Sequence, residues 1–322
     1  MLYGMLIVLL NHFGANLIFS AYNRTYLFEI GGNIMSFGIA LAGGGARGAA
    51  HVGVLCALEE NGLIPSSIAG TSDGSVVAGL YASGVSPHEM IPIVQSLAKT
   101  GYLLIDPDYA GMLKAIVQFF IHRPITLSGM IKGNRFEKFF KTYTKSKKMD
   151  DIHLKTVIPA VDINSSYTIV FTNITPKTMI RDEKIQWYKN VTLSEAIRAS
   201  IAVPTVFRPK QIGDFCLVDG GVTDILPVNL LLSSGESNVL AVDISEKYKV
   251  PKNYSVLEIV SRSLSIMSSR LKDCHSEGEK LLLTPSLPDN VGLLSFGRME
   301  ECMEIGYETT LKVLPELKIL FR

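Results

Sequence analysis

Two glycine-bracketed turns constrain this chain more than anything else in it: Gly43-Gly44-Gly45-Ala46-Arg47-Gly48 and Gly70-Thr71-Ser72-Asp73-Gly74. Each separates a short apolar run from a segment with apolar residues at helical spacing. Phe37 to Leu41 reads as a buried strand entering the first turn, and Arg47 to Glu60 as the helix leaving it. Ile64 to Ala69 enters the second turn, and Ser75 to Ala82 leaves it as a helix. The pattern resumes later, with strands over Asn238 to Ile244 and Lys280 to Thr284 and helices over Tyr254 to Leu271 and Arg298 to Leu314. Alternating strands and helices build a mostly parallel sheet sandwiched by helices, so the expected class is α/β, a three-layer αβα sandwich. Ligands of such sheets bind beyond the carboxyl ends of the strands, where both glycine turns fall.

The second turn has the form G-x-S-x-G. A serine on a tight strand-to-helix turn projects its hydroxyl clear of the sheet, and flanking glycines remove Cβ atoms that would collide there. At a helix N-terminus, unpaired amides and the dipole favour developing negative charge. The competing reading of Ser72 is a plain helix cap. In the first turn, three consecutive glycines leave amides open to a phosphate or an oxyanion, with the Arg47 charge nearby. Gly43, Gly45 and Gly48 also satisfy the dinucleotide fingerprint G-x-G-x-x-G, which keeps a nucleotide-binding alternative open. That alternative lacks an acid ending the next strand, since Ser66 to Gly70 runs directly into the serine turn.

A serine nucleophile needs a base. His12, His88, His122, His153 and His275 have no motif around them, and His51 reads as a helix residue satisfied by a backbone carbonyl. Asp219, in Leu217-Val218-Asp219-Gly220-Gly221, ends an apolar run and is followed by two glycines, so it can face the serine from a neighbouring turn. Its other reading is an aspartate that closes its own turn.

With these residues in place the chain resembles the patatin-like phospholipases and acyl hydrolases. The resemblance rests on four motifs in order: the two glycine turns, Arg198-Ala199-Ser200-Ile201-Ala202-Val203-Pro204-Thr205-Val206-Phe207, and Asp219-Gly220-Gly221. It covers roughly Met35 to Ser245 and implies a patatin-like fold and a Ser–Asp dyad without histidine. Ser72 is then the nucleophile and Asp219 its base. Gly43, Gly44, Gly45 and Arg47 form the oxyanion hole, and Gly48 lets the helix start close to the sheet. The activity that the resemblance implies is that of a serine acyl hydrolase, cleaving lipid carboxylic esters through an acyl-enzyme with no metal or organic cofactor. Asp73 departs from the pattern, which usually has a small or apolar side chain after the nucleophile. A carboxylate about 5 Å from the oxyanion would oppose it by about 3 kcal/mol at an effective dielectric near 20. Pointing elsewhere, it would support the helix start or pair with Arg47. A catalytically damped lipid-binding or regulatory protein of the same fold is therefore the alternative.

A net charge of +1 argues against a nucleic-acid partner. Cys56, Cys216, Cys274 and Cys302 lack metal-ligand spacing, and reduced thiols place the chain in the cytoplasm, with peripheral membrane contact as an option. Residues 1–34 are expected to be an extension, either a weak anchor interrupted by Asn11, His12 and Asn16 or a leader upstream of a start at Met35. The hydrolase domain then spans residues 35–322, with residues 100–151 as a cap-like insertion. Within that insertion Met112 to Ile121 reads as an apolar helix. In Arg135 to Lys148, the aromatics Phe136, Phe139, Phe140 and Tyr143 recur at helical spacing among lysines. That segment is either an ordinary amphipathic helix or an interfacial element whose aromatics touch acyl chains.

Overall fold

The first two strands are short and wholly buried, and each leads into a helix beyond its carboxyl end. The computed structural model describes residues 36–176, 184–245, 255–275 and 278–321. In the first half, β1 (Gly38–Leu41) leads to α1 (Ala49–Glu60), β2 (Ser67–Gly70) to α2 (Asp73–Ala82), and α3 (Pro87–Thr100) and α4 (Tyr109–Phe120) come after them. Next come β3 (Gly129–Ile131), α5 (Asn134–Tyr143), β4 (Lys155–Asp162), β5 (Thr168–Thr172), β6 (Ile185–Tyr188) and α6 (Leu193–Ser200). The remainder is β7 (Thr205–Phe207), β8 (Lys210–Ile212), β9 (Phe215–Asp219), α7 (Val228–Ser233), β10 (Val239–Val242), α8 (Val256–His275), β11 (Leu281–Leu283), α9 (Met299–Lys312) and α10 (Leu314–Phe321).

The main sheet runs β11-β10-β1-β2-β4-β5-β6, and its first five strands are parallel. The antiparallel strand β9 joins β4 where Ala160 faces Asp219, which carries the distant acid to the centre of the sheet. Helices cover both faces. A Cβ on Gly38 would come within 2.8 Å of the Leu231 side chain on α7. Gly38 is in register with Ser67, so Gly70, three residues on, faces the other way, and a Cβ there would lie 2.2 Å from the Gly74 carbonyl oxygen on α2. This is the expected three-layer α/β arrangement around a mostly parallel sheet.

Local boundaries moved for physical reasons. The first helix opens with a 3-10 turn over Gly45–Gly48, in which the Ala46 amide is spent on the Leu293 carbonyl at 3.1 Å, and α1 proper begins at Ala49. The second strand begins at Ser67 rather than Ile64, because Pro65 has no amide to give to a ladder. Helix α5 turns Phe136 and Phe140 into the core and half-buries Phe139 and Tyr143, leaving Lys141 exposed. Phe136 and Phe140 are therefore core residues, as an ordinary amphipathic helix requires. The compact unit starts at Ser36, and the expectations for residues 1–34 lie outside the described residues.

Candidate active site

The turn after β2 holds Ser72 at φ 54°, ψ −126°, a left-handed backbone that costs a non-glycine residue of order 1–3 kcal/mol. Close backbone contacts impose it: a Cβ on Gly74 would lie 2.4 Å from the Leu41 carbonyl oxygen, so both glycines of the turn are needed for helix α2 to approach the sheet. The Ser72 hydroxyl makes no cap to that helix. It donates instead to Asp219 Oδ2 at 2.6 Å, and both residues are buried, at 6% and 5% exposure. Asp219 Oδ1 accepts the Gly221 amide at 2.7 Å, so the acid closes its own turn and faces the serine at once. Burial pushes the Asp219 carboxyl up to about 6, with the Ser72 hydroxyl and the Gly221 amide pulling the other way. It is thus ionised at neutral pH and basic enough to accept a hydroxyl proton.

The glycine turn after β1 lies against this pair, and the amides of its three consecutive glycines are all engaged. Gly43 donates to the Ile225 carbonyl at 3.0 Å. Gly44 and Gly45 both donate to one oxygen, Asp73 Oδ1, at 2.6 and 2.5 Å. Asp73 therefore places a carboxylate in the amide hollow that its own amide helps to line. Gly48 makes room for it, since a Cβ there would lie 2.0 Å from Asp73 Oδ2. That second oxygen is buried without a hydrogen-bond partner. Desolvation raises the Asp73 carboxyl to about 7 against the pull of the Gly44, Gly45 and Asp73 amides, and the nearby Asp219 charge raises it further. Arg47 Nε donates to the Gly44 carbonyl at 3.3 Å, stiffening the turn.

His51 is buried with Nε2 2.8 Å from the Ala42 carbonyl, and burial lowers it to about 4. It faces a main-chain group behind the first turn. Two residues of the third motif matter for reasons the motif did not reveal. Ser200 Oγ accepts the Ser72 amide at 3.0 Å, fixing the nucleophile turn. Arg198 is buried and donates to the carbonyls of Gly133, Lys132 and Arg208 at 3.1, 2.7 and 2.8 Å, binding the segment around β3 to α6. Both belong to α6, 128 residues beyond Ser72 in the case of Ser200, and no spacing rule links them to the turn.

Two cavities meet at Ser72. One is a cleft of about 340 Å³ bordered by Asp219, Gly44 and the hydroxyl-rich side of α8, including Ser261, Ser265 and Ser268. The α8 wall is anchored by Lys272, whose ammonium lies 2.6 Å from Asp243 Oδ2, and by Ser268, whose hydroxyl donates to the Gly221 carbonyl at 2.5 Å. The other is an apolar cavity of about 120 Å³ among Val76, Leu104, Phe136, Phe140, Phe207 and Phe296. Gly45 and Leu293 border both, as does the nucleophile candidate itself.

A strand, a serine turn, a helix and an in-reach acid beside glycine amides define an acyl-transfer type of site on an α/β sheet. The family model described as patatin-like phospholipase matches residues 39–232, and the chain belongs to that family. This membership displaces the nucleotide-binding alternative. Among curated relatives, the lysophospholipase NTE1 of Pyricularia oryzae is 28% identical over 309 residues, covering 88% of this chain and 19% of that protein. An uncharacterized NTE family protein of Mycobacterium tuberculosis is 26% identical over 224 residues, covering 69% of this chain and 32% of that protein. The chain thus spans less than a third of the length of these relatives. The crystal structure of VipD from Legionella pneumophila superposes with a TM-score of 0.47 at 12% identity, over 88% of this chain and 67% of that one.

Proposed function

We propose that this chain hydrolyses carboxylic esters of lipids through Ser72 and Asp219. The observation that carries the reading is the 2.6 Å bond between Ser72 Oγ and a buried carboxylate, placed where an apolar cavity meets a hydroxyl-lined cleft. An acyl chain fits the first and an alcohol or headgroup the second. Ser72 Oγ attacks the ester carbonyl carbon as its proton passes to Asp219. The oxyanion forms beside the Gly44 and Gly45 amides and the start of α2, where the dipole favours negative charge. Collapse expels the alcohol, which takes the proton from Asp219, and water then attacks the acyl-serine with the same carboxylate as base. The name lysophospholipase borne by the Pyricularia relative supports a phospholipid as the ester. No helix among the described residues is long and apolar enough to cross a membrane, so we read lipid contact as peripheral. The free thiols of Cys56, Cys216 and Cys302 fit a reducing, cytoplasmic setting.

Asp73 favours a second reading, a site held in check by its own carboxylate. A fluorophosphonate probe tests both. Labelling of the parent that disappears in Ser72→Ala supports the hydrolase, and Asp219→Asn is expected to slow labelling and ester turnover by about 10⁴-fold. Labelling that emerges only in Asp73→Ala supports the checked site. A probe that labels neither chain removes the serine chemistry.

A further inference from the structure

Helix α4 has no buried residue. At 100° per residue Tyr109, Leu113, Ile116 and Phe120 fall on one narrow stripe, and they are 73%, 64%, 56% and 73% exposed. The residues that lean on the body of the protein are Gly111, Met112, Ala115 and Gln118. A surface helix ordinarily turns its apolar stripe to the core. This one presents it to solvent, and Tyr102, Leu103, Phe119, Ile121 and Ile125, on or flanking the helix in sequence, are exposed as well.

The orientation is built in. Asp108 Oδ1 caps the helix at the Gly111 amide, its Oδ2 pairs with Arg208, and its amide donates to the Met130 carbonyl at 2.7 Å. At the other end Gln118 Oε1 accepts the Thr126 amide at 3.0 Å, fixing the turn beyond the helix. The segments flanking the helix lead to the walls of the apolar cavity. Leu104 lines it just before α4, and β3 just after α4 pairs with β7, whose Phe207 lines it too.

Charge selects the occupant. From Tyr109 to Phe136 there is no Asp or Glu, whereas Lys114, Arg123, Lys132 and Arg135 all lie in that span. Lys114 and Arg123 are exposed beside the stripe. The two carboxylates of the turn before α4 are already committed, Asp106 to the amides of Gly133, Asn134 and Arg135 and Asp108 to Arg208. A second copy docked on the same patch would therefore bring these cations together with no carboxylate left over to pair them. An anionic bilayer offers apolar depth for the stripe and phosphates for the rim. We propose that α4 and the turn before it are the surface by which this chain docks on anionic lipid membranes, set beside the cavity that takes the acyl chain. The inference rests on the lipid-ester reading above, but its measurement needs no turnover.

The test uses the full chain carrying Ser72→Ala, sedimented with vesicles of phosphatidylcholine alone or with about one-third phosphatidylglycerol. The anionic vesicles are expected to pellet about tenfold more protein than neutral ones at equal lipid. Leu113→Ser/Ile116→Ser/Phe120→Ser should lose about tenfold of that binding, with an unchanged thermal midpoint because all three side chains are exposed. Lys114→Gln/Arg123→Gln should lose the preference for anionic vesicles. The proposal is overturned if the triple-serine chain pellets like its parent, or if the parent ignores anionic vesicles. A parent that instead runs as a dimer, reverting to monomer on triple-serine substitution, assigns the surface to a second copy. Failure of docking leaves probe labelling of Ser72 intact, and absence of labelling leaves docking intact, so the two readings fail separately.

Discussion

Asp73 holds, with one oxygen, the two amides beside which the proposed reaction would form its oxyanion. Ionised, it is a built-in competitor for that position; protonated, it is a weak acceptor that a substrate carbonyl can displace. The two carboxyls therefore set opposite limbs of the pH dependence. Asp219 must be ionised to act as base, so turnover rises as pH passes its value of about 6. Asp73 becomes an anion as pH passes about 7, which tightens its hold on the amides and lowers turnover above that point. The parent should show a narrow bell whose limbs belong to the coupled pair rather than to single residues. Asp73→Ala should remove the descending limb and raise kcat on a soluble short-chain ester above neutral pH by about tenfold or more, given that one oxyanion donor is worth about 2.7–4 kcal/mol. A pH–rate profile of the two proteins decides it, and identical profiles would discard the competitor. The sequence made Asp73 suspect, because a carboxylate follows the nucleophile. It could not show where the carboxylate goes, since that depends on Gly48 leaving a gap for Oδ2 and on two amides from another turn converging on Oδ1.

At the scale of elements, strands and helices were legible wherever apolar periodicity met a glycine or proline, as in β1, α1, β2 and α2. The third motif was legible as a pattern but not as a structure. Arg198 is its clearest case: an arginine among apolar residues on α6 is fully buried, with its guanidinium spent on three main-chain carbonyls and stacked 5.4 Å from the Phe207 ring centre. Those carbonyls come from residues 132, 133 and 208, contacts that exist only after β3 and β7 have paired. Burial lowers the basicity of Arg198, with Glu137 and Asp106 opposing, yet it stays a cation. Truncation to Ala strands three acceptors, one buried and two part-buried, and opens a void, so Arg198→Ala should cost about 3 kcal/mol or more in urea unfolding. Limited proteolysis should then cut first between residues 101 and 133, the segment this side chain ties down. A stability loss below about 1 kcal/mol would mean that water replaces the guanidinium without penalty.

For the molecule as a whole, the parallel centre gathers the ends of β1, β2 and β10 at one edge, and the antiparallel β9 delivers Asp219 to the same edge. Around that edge the chain divides its labour. The apolar cavity is built largely from α1 to α3, α5 and the stretch from Leu293 to Met299, whereas the hydroxyl-lined cleft is built by the turn after β9 and by α8. Under the proposed chemistry, a substrate with one greasy and one polar end would be placed in only one direction across Ser72. If the apolar cavity takes the acyl chain, reducing it should penalise long chains and spare short ones. Val76 is suited to the test, because it is half-buried on α2, lines that cavity and borders no part of the polar cleft. Val76→Phe would consume a good part of a space of about 120 Å³. Each methylene kept out of an apolar site forfeits about 0.8 kcal/mol, so losing two or three of them should lower kcat/KM for a dodecanoyl ester by about tenfold or more while a butyryl ester is little changed. Equal losses on both esters would point to a disturbed nucleophile turn, and no loss on either would put the acyl chain in the cleft beside α8.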